Sequence, residues 1–532
     1  MSLDAIIISD SGTDSLSGTN PLKLQIDGKT ASIQMILNYL KHQGRIEPPI
    51  EGDDTMSWSS ALKLNGIYLL SHLTRNNFKA AVIKGFYEEK DVFCQLLEEN
   101  PRMVIISTTF IFSKQTLFRL IEDIRSLAPD IFIVVGGPFV YLSYLMLKKS
   151  ADPGYDTDSA RDDFLFLDVN GEPSANLYII SLRGEQILCR VLDKIKDNQS
   201  IDHMPNTARL KGKTYEFQSR VDDITDSGSF HIDWDCLPDD IFKSGVVPMQ
   251  ASAGCPYKCA FCNFTKDRRL TFVKPLDEII DELKAVKKRG VRYVWFVDDN
   301  FRLGSPDLNE VCRRFIDEDL NLRWMSFIRA GTLQNVDIEL LRRAGCIEVQ
   351  LGLESADPQM LRNMNKKARP AMYASVIPEL LAAGINCSCY FIFGFPGETR
   401  ETISRTCDFI QTIERPELDG LLSWSIFPFI LSPLSPIYES ANRQPYGLKG
   451  YLHKWEHATM NSEEAKAHVL EAFLNLKNSG PIYRTDNQDI LSDLTPSKRH
   501  QFEALRHGLA KTALKNPLEF SKVDISIFEH IF

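Results

Sequence analysis

Between residues 246 and 429 the chain alternates apolar runs of strand length with amphipathic runs of helical length, such as Pro275–Arg289 and Thr399–Ile413. The strand-like runs are Val246–Ala251, Val291–Val297, Leu322–Ile328, Cys346–Leu353, Ile385–Phe393 and Gly420–Phe429. Apolar strands joined by helices form a parallel sheet that helices cover. About six such units, rather than eight, predict a partial (βα)6 barrel of the TIM type over residues 244–430. In such barrels the chemistry takes place at the carboxyl ends of the strands.

The first 150 residues show a similar alternation. Met103–Ser107 and Ile131–Val135 have the length and composition of buried strands, and residues 115–126 between them have helical periodicity. Buried strands joined by helices predict a doubly wound, Rossmann-like α/β domain over residues 1–150. Residues 151–243 are predicted to form a connecting region.

Residues 431–532 lose the alternation and become rich in helical and aromatic runs, which predicts a helical carboxyl-terminal cap. A chain of 532 residues is too long for one hydrophobic core, so a division into several domains agrees with its length.

Charge and terminal sequence argue against some classes of protein. The net charge of −10 argues against a binder of duplex nucleic acid, which needs a basic face. No apolar run approaches the roughly 20 residues that cross a bilayer, and residues 1–10 lack the features of a signal peptide. The eleven cysteines, an odd number, fit a reducing compartment. We therefore expect a cytoplasmic protein with no membrane span.

Three cysteines, Cys255, Cys259 and Cys262, follow the first predicted barrel strand with the spacing C-x3-C-x2-C. Thiolates at this spacing can ligate three irons of a 4Fe–4S cluster and leave the fourth iron open. A structural zinc site and incidental loop cysteines are the alternatives, but zinc normally requires a fourth Cys or His, and none lies close by in the sequence. The spacing and the position at a strand end favour the cluster.

With the aromatic Phe261 before the last cysteine, this segment resembles the cluster loop of the radical S-adenosylmethionine superfamily. The resemblance implies that the methionine amino and carboxylate groups of S-adenosylmethionine chelate the open iron. It implies that one-electron cleavage then gives a 5′-deoxyadenosyl radical, which is chemistry of the cofactor. It also implies an electron donor such as flavodoxin or ferredoxin.

The same resemblance implies co-substrate roles for residues at other strand ends. Arg329 would pair with the methionine carboxylate. One of Asp298, Asp299 and Asn300, which end the second strand, would meet the amino group or the ribose. Glu354 and Ser355 would lie near the nucleoside. The segment Gly394–Thr399, with Gly394 and Pro396, would allow the backbone to approach the adenine.

These residues have structural alternatives. Arg329 could form a structural salt bridge, Glu354 could cap the following helix, and Gly397 could be only a turn residue. Cys387 and Cys389 alternate along one predicted strand, which is typical of packing residues. An auxiliary cluster is the less favoured interpretation, because no further cysteines join them.

The amino-terminal domain resembles cobalamin-binding doubly wound domains in the segments Ile105–Phe110 and Val134–Phe139. Both place hydroxyls or glycines at the carboxyl end of a strand, where such sheets bind flat cofactors. The residues implied to contact cobalamin are Ser107, Thr108, Thr109, Gly136 and Gly137. The D-x-H-x-x-G motif that supplies an axial histidine is absent, so we expect no protein histidine on cobalt. The alternative is a degenerate domain kept for packing or substrate contact.

In the cap, the segment Trp455–Met460 resembles cap segments of some cobalamin-dependent members. Its aromatic and histidine side chains could shape a substrate pocket over the barrel or belong to the core.

Together these features predict a cobalamin-dependent radical S-adenosylmethionine enzyme that methylates an unactivated carbon of a metabolite or peptide. A radical cyclase, epimerase or rearrangement enzyme that transfers no methyl group is the alternative. A methylthiotransferase is disfavoured, because a second cysteine triad and a basic RNA-binding tail are not evident. The intact cysteine loop disfavours a non-catalytic cobalamin-binding protein.

Overall fold

The computed structural model describes residues 3–12, 25–26, 29–30, 61–168, 173–221, 230–263, 271–304, 307–482 and 494–515. The chain divides into two compact units. The first comprises residues 1–15 and 62–241, and the second comprises residues 16–61 and 242–532. Within the described ranges, no helix has the length and apolar character needed to cross a membrane.

The first unit contains one seven-stranded sheet. Its strands are β1 (Ala5–Ile8), β2 (Ala80–Ile83), β3 (Met103–Ser107), β4 (Phe132–Gly136), β5 (Leu177–Ile179), β6 (Thr207–Lys211) and β7 (Thr214–Phe217). They lie in the order β2-β1-β3-β4-β5-β6-β7. The first five are parallel and the last two are antiparallel to their neighbours. The strand order therefore reverses between β1 and β3, which is the switch point where doubly wound sheets bind ligands.

The parallel strands of this sheet alternate with helices. The helices are α1 (Leu64–Arg75), α2 (Lys90–Leu97), α3 (Lys114–Leu127), α4 (Pro138–Lys149) and α5 (Glu185–Lys196). Every residue of β1 and β3 is buried, as expected for strands covered on both faces. The predicted doubly wound architecture is confirmed. Strands β5 to β7 come from the predicted connecting region and extend the same sheet; the predicted domain boundaries stay a prediction.

The second unit is built on six parallel strands that follow one another in chain order across the sheet. They are β8 (Val246–Met249), β9 (Tyr293–Phe296), β10 (Arg323–Phe327), β11 (Cys346–Glu354), β12 (Asn386–Phe393) and β13 (Leu422–Pro428). A two-residue strand, Gly480–Pro481, pairs with β13 at the far edge. Among the described residues no pairing joins that edge back to β8, so the barrel is open, as the predicted partial barrel requires.

The helices between these strands are α6 (Leu276–Lys288), α7 (Leu308–Asp317), α8 (Ala330–Leu333), α9 (Ile338–Arg343), α10 (Pro358–Asn363), α11 (Pro370–Ala382) and α12 (Arg400–Ile413). Two ring contacts identify the face of the sheet that the helices cover. Phe296 of β9 stacks on Phe315 of α7, and Trp424 of β13 contacts Phe473 of a later helix. Since neighbouring strand residues point to opposite faces, Ser423 lies on the other face. Ser423 is in register with Ser388, and Ser388 with Gln350. We call this second face the inner face.

The cap is less helical than its sequence predicts. It contains a three-stranded antiparallel sheet of β14 (Lys449–Tyr451), β15 (Lys454–His457) and β16 (Met460–Asn461). Its helices are α13 (Ser440–Arg443), α14 (Ser462–Asn475) and α15 (Pro496–Lys515). Strands of two to four residues leave too short a pattern to be recognised in the sequence.

Candidate functional site

The three cysteines of the C-x3-C-x2-C segment lie on a loop that follows β8, and none is in a disulfide. The backbone N–H of Gly254 donates to Asp299 Oδ2 at 2.9 Å. Gly254 has φ +83°, and a Cβ there would lie 2.8 Å from Thr271 Oγ1, so only glycine fits at the start of the loop. At the other end, the Ala260 N–H donates to the Met364 carbonyl at 2.8 Å. The loop is thus held from two sides.

The donor set fits an iron–sulfur cluster. Cys259 is buried, Cys255 and Cys262 are half-buried, and all three thiols belong to one loop. Burial raises the pKa of the Cys255 thiol, and the nearby Arg329 guanidinium opposes that shift. Thiols with a positive group beside them are suited to ligate iron as thiolates.

Arg329, which follows β10, lies beside this loop. Its Cζ is 3.7 Å from the centroid of the Tyr257 ring, and its Nη1 is 4.0 Å from Cys259 Sγ. Its Nη2 donates to the Lys366 carbonyl oxygen. Among the described residues Arg329 has no carboxylate partner, so the salt-bridge alternative finds no support there.

Glu354 ends β11 with φ +64°, an uncommon backbone conformation for a residue with a side chain. Its Oε1 lies 2.6 Å from Lys366 Nζ in an ion pair that is about nine-tenths buried. The next helix, α10, is capped instead by Asp357, whose carboxylate accepts from Gln359 N and Met360 N. Glu354 therefore does not cap α10, and the strained backbone aims its carboxylate at Lys366.

Ser355 and Asp298 are both committed to contacts within the fold. Ser355 Oγ accepts from Asp357 N at 3.1 Å and lies 3.3 Å from Thr406 Oγ1. Asp298 follows β9 and accepts from Ala251 N, Ser252 Oγ and Arg302 N. Burial raises the pKa of Asp298 to about 6. Asp298 thus joins the carboxyl ends of β8 and β9.

The turn after β12 packs against the cap. Gly394 has φ +90°, and a Cβ there would lie 2.5 Å from the Trp455 ring. His457 Nε2 lies 3.1 Å from the Gly394 carbonyl oxygen, and the Trp455 and His457 rings stack with centroids 5.3 Å apart. Both cap side chains are buried. Of the two interpretations of this cap segment, these contacts favour the core.

Four further residues that the sequence singled out pack within the fold. Pro396 accepts a hydrogen bond from Asn363 Nδ2 through its carbonyl oxygen, at 3.3 Å. The Phe261 ring makes an edge contact with Phe395. Cys387 and Cys389 are almost fully buried, and Cys389 is in register with the helix-facing Trp424, which agrees with a packing role.

In the first unit, the predicted cobalamin residues lie at the carboxyl ends of β3 and β4. Ser107 Oγ accepts from Asn65 Nδ2 at 2.8 Å and lies 3.2 Å from Thr109 Oγ1. Thr108 Oγ1 donates to the Gly136 carbonyl oxygen at 2.9 Å. Gly137 has φ +108°, and a Cβ there would lie 3.0 Å from Thr108 Oγ1. The glycine at 137 is therefore required by the fold, whatever binds beside it.

Sequence reasoning missed the other side of this switch point. Asn65 Nδ2 also donates to the carbonyl oxygen of Ser9, directly after β1, while its Oδ1 is buried without a hydrogen-bond partner. Burial raises the pKa of Asp10 in the same segment, and Lys63 opposes the shift. The sequence signal was the polar run Ser9–Gly12 directly after an apolar run. An orphaned polar atom at a switch point fits a site for a polar cofactor tail.

The chain matches a model of the radical SAM superfamily over residues 249–410. It is 24% identical over 364 residues to the uncharacterized methyltransferase PH0819 of Pyrococcus horikoshii, which covers 66% of this chain and 73% of that protein. It is 32% identical over 175 residues to the bacteriochlorophyllide d C-12(1)-methyltransferase of Chlorobaculum tepidum, which covers 32% of this chain and 38% of that relative.

A solved structure shares the fold over most of the chain. The radical S-adenosylmethionine methyltransferase TsrM from Kitasatospora setae, with cobalamin and a [4Fe-4S] cluster bound, has a TM-score of 0.53 and 17% sequence identity. The similarity covers 82% of this chain and 77% of that one. At this identity the likeness shows the fold.

Proposed function

We propose that this chain is a cobalamin-dependent radical S-adenosylmethionine methyltransferase that acts on an unactivated carbon of a metabolite or peptide. One observation carries the proposal: the chain combines a cysteine triad without disulfides at a barrel strand end with a doubly wound sheet whose switch point is polar. The methyltransferase names of PH0819, the bacteriochlorophyllide enzyme and TsrM support it.

In this proposal Cys255, Cys259 and Cys262 hold the 4Fe–4S cluster. When bound, the cluster and S-adenosylmethionine supply a 5′-deoxyadenosyl radical, and cobalamin supplies the methyl group. Arg329 binds the methionine carboxylate of the co-substrate through the guanidinium N–H groups not used by Lys366. Its place beside Cys259 supports this assignment.

The remaining residues at the strand ends contact the nucleoside or hold the groups that do. Glu354 accepts hydrogen bonds from the nucleoside, and its ion pair with Lys366 fixes the orientation of the carboxylate. Ser355 and Asp298 fix the strand ends that carry these groups. The turn with Gly394 and Pro396 approaches the adenine through its backbone, and Trp455 supports it from the cap.

In the first unit, Ser107, Thr109 and Asn65 would hydrogen-bond the polar tail of cobalamin, and Gly136 would allow close approach. The orphaned Asn65 Oδ1 supports this placement, since a donor on the ligand would satisfy it.

The test uses anaerobically reconstituted full-length protein with cobalamin, a reductant and S-adenosylmethionine carrying a deuterated methyl group. Substrate candidates come from fractionated metabolite and peptide extracts. A methyltransferase gives a product with the labelled methyl group, together with S-adenosylhomocysteine and 5′-deoxyadenosine. Deoxyadenosine with neither labelled product nor S-adenosylhomocysteine would instead identify a radical cyclase, epimerase or rearrangement enzyme.

A further inference from the structure

We propose that the inner face of the second unit binds a planar heteroaromatic substrate through a ring N–H. Phe327, Tyr390 and Phe427 stack against the ring, while Glu348 and Gln350 accept its hydrogen bond. The inference rests on the proposed function and deepens it, because it names the class of substrate that the barrel takes.

Three aromatic side chains form one wall on the inner face. Phe327 is in register with Gln350, and Gly352, two residues further along β11, is in register with Tyr390. Phe427 has the same alternation as Ser423 and therefore lies on this face too. The ring centroids of Phe327 and Tyr390 are 5.5 Å apart. Those of Tyr390 and Phe427 are 6.4 Å apart with an interplanar angle of 7°.

These rings are not core residues. Each of the three is half-buried, whereas the helix-facing Leu351 and Phe391 beside them are fully buried. At the level of Tyr390 the strand between the two rings contributes only Gly352, and the rings of Phe327 and Tyr390 approach to 5.5 Å across it. Half-exposed rings that lie side by side on a concave sheet are suited to stack against a flat ligand.

Polar acceptors lie on the same face. Glu348 and Gln350 alternate along β11 and are both more than nine-tenths buried. Ser388 Oγ donates to Glu348 Oε1 at 2.6 Å, and the Gln350 side chain also donates to this carboxylate. Gln350 Oε1, in contrast, is buried with no hydrogen-bond partner.

Within the described ranges, Gln350 Oε1 therefore has no donor. Across the ranges that the structure describes, no Lys or Arg pairs with Glu348, and burial raises the pKa of its carboxyl group. A buried acceptor without a donor is unfavourable, and an N–H brought by a ligand would satisfy it. Because Gln350 is in register with Phe327, such an N–H would lie at the edge of a ring stacked on the aromatic wall.

The test compares two probes that differ in one group. Indole is planar and has a ring N–H, and 1-methylindole has the same ring without the donor. Binding of each to anaerobically reconstituted full-length protein is measured by ligand-observed NMR titration. We expect indole to bind about 10-fold more tightly, because a site built to accept an N–H leaves its acceptor unpaired with the methylated analogue.

Variants separate the two parts of the site. Gln350→Leu has similar volume and should reduce the preference for indole to near unity, and the milder Glu348→Gln should reduce it in part. Phe427→Leu should weaken both probes alike. Glu379→Gln, on the exposed side of α11, is the charge-matched control and should change neither.

Equal binding of the two probes to the wild type, or no binding of indole, would overturn the inference. So would a preference that survives Gln350→Leu. These outcomes leave the proposed function intact if labelled methyl transfer is still found. Conversely, an indole preference without methyl transfer would overturn the proposed function and leave the recognition site standing.

Discussion

Lys366 joins Glu354 to Arg329. Its Nζ lies 2.6 Å from Glu354 Oε1, and its carbonyl oxygen accepts a hydrogen bond from Arg329 Nη2. Two residues predicted to bind the co-substrate are therefore held by a third that sequence reasoning did not single out. A lysine in a segment between α10 and α11 carries no recognisable pattern, so only the structure identifies its role.

Replacing Lys366 should destabilise the second unit. Lys366→Met leaves the Glu354 carboxylate buried without its partner, at a cost of about 3–5 kcal/mol. The loss should appear as a lower denaturant midpoint of the reconstituted protein. Lys367→Met is the matched control, since Lys367 is exposed and should be neutral. Equal effects of the two substitutions would contradict a structural role for the ion pair.

Arg329→Ala and Glu354→Ala should weaken S-adenosylmethionine binding while the cluster absorbance is retained. Each removes one charge-assisted hydrogen bond of about 1.5–3 kcal/mol, or about 10- to 150-fold in affinity. Isothermal titration under anaerobic conditions measures this change. Unchanged affinity would return both residues to structural roles.

The cysteine triad should bind one 4Fe–4S cluster per chain. Cys255→Ala, Cys259→Ala and Cys262→Ala should each abolish reductive cleavage of S-adenosylmethionine, measured as 5′-deoxyadenosine. Cys389→Ala is the control, because Cys389 is a buried residue on the helix-facing side of β12. Loss of iron in that control would revive an auxiliary cluster.

Glu398 should make the stability of the second unit depend on pH. Burial raises the pKa of its carboxyl group to about 8, above the ordinary value of 4.5. Because this carboxyl group loses its proton at lower pH in the unfolded chain, the contribution of Glu398 to stability is fully present below about pH 4.5. That contribution is lost as the pH rises toward 8, by up to about 1.4 kcal/mol per pH unit. Glu398→Gln should flatten this dependence in denaturant titrations, whereas Glu379→Gln should not.

Two glycines at the end of β4 should respond differently to alanine. Gly137→Ala strains the fold itself, because φ is +108° and Thr108 is close. At Gly136 the nearest atom to an added Cβ is 3.5 Å away, an ordinary contact. Gly136→Ala should therefore leave thermal stability nearly unchanged and lower cobalamin retention after gel filtration. Full retention would remove Gly136 from the proposed site.

Bound cobalamin should carry no protein histidine on cobalt, as the missing D-x-H-x-x-G motif indicates. In the Co(II) state the electron paramagnetic resonance spectrum should lack the nitrogen superhyperfine splitting of an axial imidazole. If that splitting appeared after excess cobalamin had been removed, a protein histidine would be bound to cobalt and the prediction would be wrong.

Long, apolar elements were predictable and short ones were not. The bounds predicted for β3 match the observed ones, and those of the six barrel strands differ by about two residues or fewer at either end, because buried parallel strands form continuous apolar runs. No strand was predicted at Ala5–Ile8, although β1 pairs with a parallel strand on each side. Four apolar residues are too short a run to predict a strand, and the position of β1 depends on pairing with distant residues.

In the candidate site, residues linked by local spacing were likewise predictable, and residues linked by distant contacts were not. The spacing of Cys255, Cys259 and Cys262 is local and therefore visible in the sequence. The contacts of Asn65 with Ser9 and Ser107 join residues that are 56 and 42 positions apart, and no local pattern encodes them.

The contact of Gly394 with Trp455 and His457 also limits where this chain can be joined to a related protein in a chimera. A chimera that exchanged the cap at residue 431 would place a strand from another protein against the native turn that contains Gly394. A different side chain would then stand where the Trp455 ring now packs on Gly394. The turn and β15 should therefore be transplanted together, with the crossover placed before β12. In a library of chimeras joined at residue 431, differences in activity would mostly reflect this packing mismatch and not a change in substrate preference.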